Sequence, residues 1–243
     1  MEIKVENLTK QYGNNKVLEN FNLILEKVNT LAIIGPSGGG KSTFLRVLAG
    51  LEVAQKGKVE INGKNIPKDE EELLNYRKGV GVVFQAYNLF PHLSAIKNIL
   101  LPLERVHKMP KAKAEKRAIE LLKRYKLEEH MDKKPHELSG GQQQRVAIVR
   151  ALALDVDFFL LDEPTSALDP ALTMETLEAI MELKKLKKDL ILVTHEMGFA
   201  RHVADHIIFI DEGRVIEEGT PKEIFENPKT QKLKSFLGKG LRY

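Results

Sequence analysis

Cysteine is absent from the 243 residues, so there is no disulfide framework and no cysteine-based metal or redox site can form. Long apolar runs are lacking too. The greasiest stretch, Phe158-Phe159-Leu160-Leu161, is strand length, far short of the roughly 18 consecutive apolar residues that a membrane-spanning helix needs. Any contact with a membrane is therefore expected to go through a partner. Met1 to Glu6 alternate charged and apolar side chains, which reads as an edge strand and not as the apolar core of a signal peptide. Proline (10) and glycine (17) are too few to suggest disorder. Neither sign of charge prevails: 38 Lys and Arg are spread along the chain among 34 Asp and Glu, which argues against nucleic acid as a partner.

What is present suits a soluble globular chain, 42% hydrophobic and 30% charged. Its length allows one core, or one core with a small inserted lobe. Short runs rich in Ile, Val and Phe (Leu31 to Ile34, Val80 to Phe84, Phe158 to Leu161, Leu190 to Thr194, Ile207 to Ile210) alternate with longer helical patterns. That alternation predicts an α/β protein with a mainly parallel, buried sheet. Ile3 to Tyr12, Phe21 to Glu26 and Lys58 to Asn62 instead alternate polar with apolar, with turn residues at Gly13-Asn14-Asn15 and Asn62-Gly63. They predict antiparallel strands exposed on one face. Strand signals stop between Ala86 and Arg150, where Ala114, Ala118, Leu121, Leu122 and Tyr125 form one helical stripe. A helical lobe inserted into the α/β core follows. From Pro221 onward two short helical patterns, Lys222 to Phe225 and Gln231 to Leu237, leave no room for an appended regulatory domain.

Gly35-Pro36-Ser37-Gly38-Gly39-Gly40-Lys41-Ser42-Thr43 fits the pattern G-x-x-x-x-G-K-[ST] and lies between the Leu31 to Ile34 strand and a helical run from Thr43 to Leu48. Glycines there let backbone N–H groups converge on phosphate oxygens, and the helix start adds its dipole. Lys41 is expected to reach the β and γ phosphates of ATP and Ser42 to ligate Mg²⁺. A second strand, Phe158 to Leu161, ends in Asp162-Glu163, at the strand end where ligands sit in open α/β sheets. Asp162 is expected to hold Mg²⁺ through water, and Glu163 to polarise the attacking water. Leu190 to Thr194 delivers His195 at the same kind of position, within reach of a γ-phosphate.

Leu138-Ser139-Gly140-Gly141-Gln142 is followed by Gln143-Gln144-Arg145 and a helical run from Val146 to Leu154. Ser139 alone reads as a helix N-cap worth about 1 kcal/mol, which leaves the two glycines and Gln142 unexplained. The five residues resemble the signature motif of ATP-binding cassette (ABC) ATPases. The resemblance spans nearly the whole chain: Tyr12, Gly35 to Thr43, Gln85, Leu138 to Gln142, Asp162-Glu163, Ser166 to Asp169 and His195 stand in the family's order. It implies one domain over 1–243. A P-loop NTPase core with a mainly parallel sheet (1–86 and 151–220) would include an N-terminal antiparallel β subdomain and carry an inserted α-helical subdomain (87–150) and a C-terminal tail (221–243). It also implies that Tyr12 stacks on adenine beside Val17, that Gly35 to Thr43 bind ATP with Gln85, and that Ser42, Gln85 and Asp162 serve Mg²⁺. Glu163, His195 and Lys41 are the catalytic residues it implies. The surplus anion site at the signature implies two chains paired head to tail, with Ser139, Gly140, Gly141, Gln142 and Asp169 of one capping the ATP held by the other. Asp169-Pro170 also reads as an N-cap and first helical turn. The chain departs from the family pattern at Val149, where alanine is common, and at Val28-Asn29-Thr30, where a glycine usually precedes the strand.

Three features favour transport over non-transport members of the family in DNA repair or at the ribosome. No long coiled-coil segment interrupts the chain, and it holds one cassette. The stretch Ala86 to Ala95 is apolar and aromatic, like the groove lining in importer subunits that receives a short helix of the membrane-spanning permease. Asn88-Leu89-Phe90-Pro91-His92 and Thr194 to Arg201 are similar to the polar amino acid importers (glutamine, histidine and arginine systems). That resemblance implies a peripheral subunit on the cytoplasmic face of the membrane, a solute-binding protein as indirect partner, and no nucleic acid.

Overall fold

The computed structural model describes residues 1–165, 170–185 and 188–240. Two units divide the chain: Met1–Arg77 with Lys187–Tyr243, and Lys78–Leu186. The first unit begins with β1 (Ile3–Tyr12) and β2 (Asn15–Leu25), paired antiparallel around a two-residue turn at Gly13-Asn14. The buried strand β3 (Thr30–Ile34) and α1 (Lys41–Leu48) follow, and then β4 (Lys56–Ile61), β5 (Lys64–Asn65) and α2 (Glu70–Lys78). The antiparallel sheet has the order β2-β1-β4-β5. Its last hairpin turns on Asn62 and Gly63 with φ of +50° and +75°, the conformation that Asn-Gly adopts most readily. Phe21, Leu23 and Leu25 are buried while Asn22 and Ile24 are exposed, so one face packs and one is solvated, as the alternation predicts. β2 starts at Asn15, earlier than the alternation beginning at Phe21, because cross-strand pairing to β1 extends through residues too polar to signal a strand.

The second unit runs through β6 (Val80–Val83), α3 (Ala95–Arg105), α4 (Lys111–Arg124), α5 (Gly140–Leu152), β7 (Phe158–Asp162) and α6 (Pro170–Lys185). β6 and β7 pair in parallel. Among the described residues no strand lies between them, which is the helical insertion read from the sequence. α4 buries Ala114, Ala118 and Leu122, and Tyr125 just beyond it is also buried. Leu121, expected on that stripe, is only half-buried. α5 is buried around most of its circumference from Val146 to Val149, the pattern of a helix enclosed by others. It begins at Gly140, six residues before the apolar run that announces it.

The chain returns to the first unit with β8 (Asp189–Val193), α7 (Met197–Val203), β9 (His206–Asp211), β10 (Arg214–Gly219), α8 (Pro221–Glu226) and α9 (Gln231–Gly240). β3 pairs in parallel with β8 on one side and β9 on the other. β10 adds an antiparallel hairpin through Glu212-Gly213, both at positive φ. Thr220 and Glu223 form a capping box with Pro221 in the first turn, which starts α8 sharply. α8 and α9 cover one face of the strands: Ala32, Ile34, Ile207 and Phe209 share a cluster with Ile224 and Leu233. The Phe209 ring lies 5.2 Å from that of Phe236. Phe209→Ala should therefore cost about 3–5 kcal/mol by opening a cavity under the tail, measured as the shift in the urea unfolding midpoint.

Candidate functional site

In the first unit, two parallel registers set the height at which the loops emerge. Ile33 is opposite Val193 and Ile34 opposite Phe209, so β3 releases Gly35 and β8 releases Thr194-His195 at the same strand ends. Thr194 is buried and its N–H donates to Ile33 O at 3.4 Å, while His195 itself is exposed. The loop 35–40 packs directly on backbone. A Cβ on Gly35 would stand 2.0 Å from Ile210 O, and one on Gly40, at φ +103°, 3.0 Å from Val17 O and 2.9 Å from Leu18 Cδ2. The glycines thus serve the packing of the loop on β2 and β9 as well as any approach to phosphate. Gly213 N–H donates to Gly39 O at 3.0 Å, tying the loop to the β9–β10 turn.

Lys41 opens α1 and is buried, with Nζ donating to Gly35 O and Pro36 O at 2.9 Å each. No side chain caps α1 and no acid stands in its first turn, so the positive end of its dipole is not neutralised. Ser37 and Gly38 are exposed and Ser42 and Thr43 half-buried. A buried ammonium, a loop with no room for a Cβ at Gly35 or Gly40 and a helix start without a side-chain cap fit a chain of phosphates. Tyr12 ends β1, 43% exposed, with Lys10 Nζ 4.9 Å from its ring centroid. Lys10 also pairs with Glu52 at 2.7 Å and holds that carboxyl below the usual glutamate range. Val17 reaches the same loop through its carbonyl.

In the second unit, Val83 is opposite Leu161. Gln85 and Glu163, two residues beyond each, therefore leave the same end of the β6–β7 pair. Asp162 ends β7 and is buried, and Glu163 follows at φ +45°, a left-handed conformation that costs a non-glycine residue of order 1 kcal/mol and concentrates at functional sites. Ser139 caps α5: its Oγ accepts from Gln142 N–H at 3.3 Å, and Gln142 Oε1 accepts from Ser139 N–H at 2.9 Å. The capping reading thus explains Gln142 as well as Ser139, contrary to the sequence expectation, and leaves Gly140 and Gly141 as the surplus. Ser139 is exposed, Gly140 half-buried and Gly141 buried. Asp169, together with Ser166, lies outside the described residues.

Two residues that sequence reasoning passed over hold the loop after Gln85. Tyr87 and Asn88 both sit at positive φ. Arg150 in the last turn of α5 donates to Tyr87 O at 2.9 Å and to Asn88 O at 2.7 Å. Asn98, fully buried in α3, accepts from Phe90 N–H at 2.7 Å and donates to the carbonyls of Phe90, Leu93 and Ser94. A polar residue within an apolar helical stripe was the available signal for Asn98; nothing in the local sequence singles out Arg150. Beside this loop lies a groove of about 460 Å³ lined by Phe90, Leu101, Pro102, Val106, Ala151 and Leu154, with Arg105 and Arg150 at its edge.

The ABC transporter family profile matches residues 18–166, a span that begins in β2 and includes Gly35 to Thr43, Ser139 to Gln142 and Glu163. The chain belongs to the ABC transporter family. It is an ATP-binding, ATP-hydrolysing member. It is 45% identical over 98% of its length to 99% of an arginine transport ATP-binding protein, ArtM, of Bacillus subtilis. It is 44% identical over 99% of its length to all of a glutamate transport ATP-binding protein, GluA, of Corynebacterium glutamicum. A solved ATP-binding cassette, MJ0796, in a dimeric post-hydrolysis state with ADP and phosphate, matches 90% of this chain and 98% of its own at 37% identity and a TM-score of 0.80.

In this ABC ATPase, replacing Arg150 should loosen the 86–90 loop without touching the phosphate loop. Arg150→Met removes the charged donor from two carbonyls, a loss of about 2–3 kcal/mol. It should raise amide hydrogen exchange in residues 86–92 while leaving that of 35–45 unchanged.

Proposed function

We propose that this chain is the ATPase subunit of an importer for polar amino acids, acting as a head-to-tail dimer on the cytoplasmic face of a membrane. The observation that carries the reading is similarity over almost the whole chain to ATP-binding proteins named for arginine, glutamate and general L-amino acid transport. The apolar groove beside the loop after Gln85 supports it, because an open apolar groove of this size fits a short amphipathic helix of a permease subunit. A solute-binding protein would then act indirectly, through the permease.

The phosphate loop, Gly35 to Thr43, holds the phosphates of ATP, with Lys41 turned from its two carbonyl partners toward the β and γ groups. Tyr12 and Val17 accept the adenine, and His195 meets the γ-phosphate from the end of β8. Glu163 orients and deprotonates the attacking water. Mg²⁺, which keeps most of its water and binds with phosphate oxygens, would neutralise charge on the phosphates when bound; the family resemblance gives it Ser42 of the first unit and Asp162 and Gln85 of the second. Ser139 to Gln142, with Asp169, cap the nucleotide of the partner subunit, and the dimeric state of MJ0796 supports this arrangement. ATP binding closes the dimer and hydrolysis with phosphate release reopens it.

The test of the machine is purification of the tagged protein from its native membrane in mild detergent, with mass spectrometry of what accompanies it. Polytopic membrane proteins and ATP hydrolysis stimulated by an amino acid would uphold the reading; soluble ribosomal or nucleic-acid partners alone would replace it. For the chemistry, Glu163→Gln should bind ATP normally and accumulate as a dimer on size exclusion, with hydrolysis slowed about 100-fold or more. Lys41→Ala should lose tight nucleotide binding, and Ser139→Arg should bind ATP as a monomer without dimerising. Rapid turnover by Glu163→Gln would remove Glu163 from its role.

A further inference from the structure

The even spread of charge read along the chain does not hold locally. Residues 97–126 carry ten Lys and Arg against three Glu, an excess larger than the net +4 of the whole chain, so the remainder is acidic on balance. α4 gathers much of this excess on one face. Lys113, Lys116, Arg117 and Arg124, spaced for neighbouring helical positions, rim a trough of about 570 Å³ with Leu121 and Leu152 in its lining and Glu120 as its single acid. Ion pairs engage Lys111, Lys123 and Arg124 with Glu115, Glu128 and Glu182. Lys113 and Lys116, both exposed, form no ion pair among the described residues. Arg117 is anchored by its hydrogen bond to Leu152 O at 3.4 Å. Burial, together with nearby Lys78 and Arg117 and against the pull of Asp155, keeps His107 below the usual histidine range.

The trough and the apolar groove open on the same end of α5: Ala151 and Leu154 line the groove, Leu152 lines the trough. Uncompensated like charges on one helix face repel one another, and an anionic partner relieves that repulsion. We infer that the trough receives an acidic segment of the same membrane-spanning partner whose apolar segment fills the groove, with carboxylates on the Lys113, Lys116 and Arg117 rim and an apolar side chain over Leu121 and Leu152. The inference rests on the proposed transport role. Phospholipid headgroups and RNA share the charge but make no use of the leucines, so a protein segment is the better fit.

The test uses membrane vesicles carrying the co-purified permease without its ATPase subunit, and measures binding of the added subunit at low and high salt. Lys113→Glu/Lys116→Glu should weaken binding by about tenfold at low salt and flatten its salt dependence, with ATP hydrolysis by the free subunit unchanged. Val106→Asp, in the groove, is the control for docking itself. If Val106→Asp abolishes binding while the charge reversal binds like wild type, the trough is not part of the interface and the inference falls, with the transport role intact. If neither variant matters, or the wild type binds permease-free anionic vesicles as tightly, docking through this face is wrong altogether.

Discussion

Backbone pressed against backbone at the 35–40 loop is the constraint on which the candidate site of the first unit depends. Ile210 O occupies the space a side chain on Gly35 would need, and Val17 O does the same at Gly40. With β2 and β9 this close, the loop has little freedom, and its shape follows from the positions of the strands. Lys41 is then buried beneath the loop, donating to two of its carbonyls, and α1 presents an amide end without a side-chain cap beside it. Desolvation strengthens each of these electrostatic features. The parallel register of β3 with β8 places His195 at the same strand ends.

The second unit repeats the principle with different parts. The register of β6 against β7 brings Gln85 and Glu163 to one end, and the left-handed turn at Glu163 redirects the chain as it leaves the buried Asp162. α5 spans roughly 20 Å between two structural features. Its first turn is the signature, closed by the reciprocal Ser139–Gln142 hydrogen bonds, and its last turn holds the carbonyls of Tyr87 and Asn88 through Arg150. α5 is buried along most of its length and ties its first turn to the loop after Gln85 through these hydrogen bonds.

Much of this was legible in the sequence because it depends on local patterns. The buried strands announce themselves as short runs of Ile, Val and Phe; Asn62-Gly63 marks its hairpin; the glycines and Lys41 fall between a strand and a helix, as read. The absence of cysteine and of long apolar runs set what the chain could not be, and the order of motifs named the family. β10 was missed although Glu212-Gly213 signals its turn, since its half-exposed, charged strand lacks an apolar run.

Other features only the tertiary structure decided, because they depend on residues distant in the chain meeting across the fold. That Gly35 is required by Ile210, that Arg150 holds Tyr87 and Asn88, and that Asn98 pins the following turn are contacts between segments with no sequence signature linking them. Gln142 changed from an unexplained residue to half of a capping box once its geometry was visible. The charge pattern is the clearest division: composition determined a near-balanced total, whereas helical periodicity and the packing of α4 against α5 decided that Lys113, Lys116, Arg117 and Arg124 line one trough with Leu121 and Leu152.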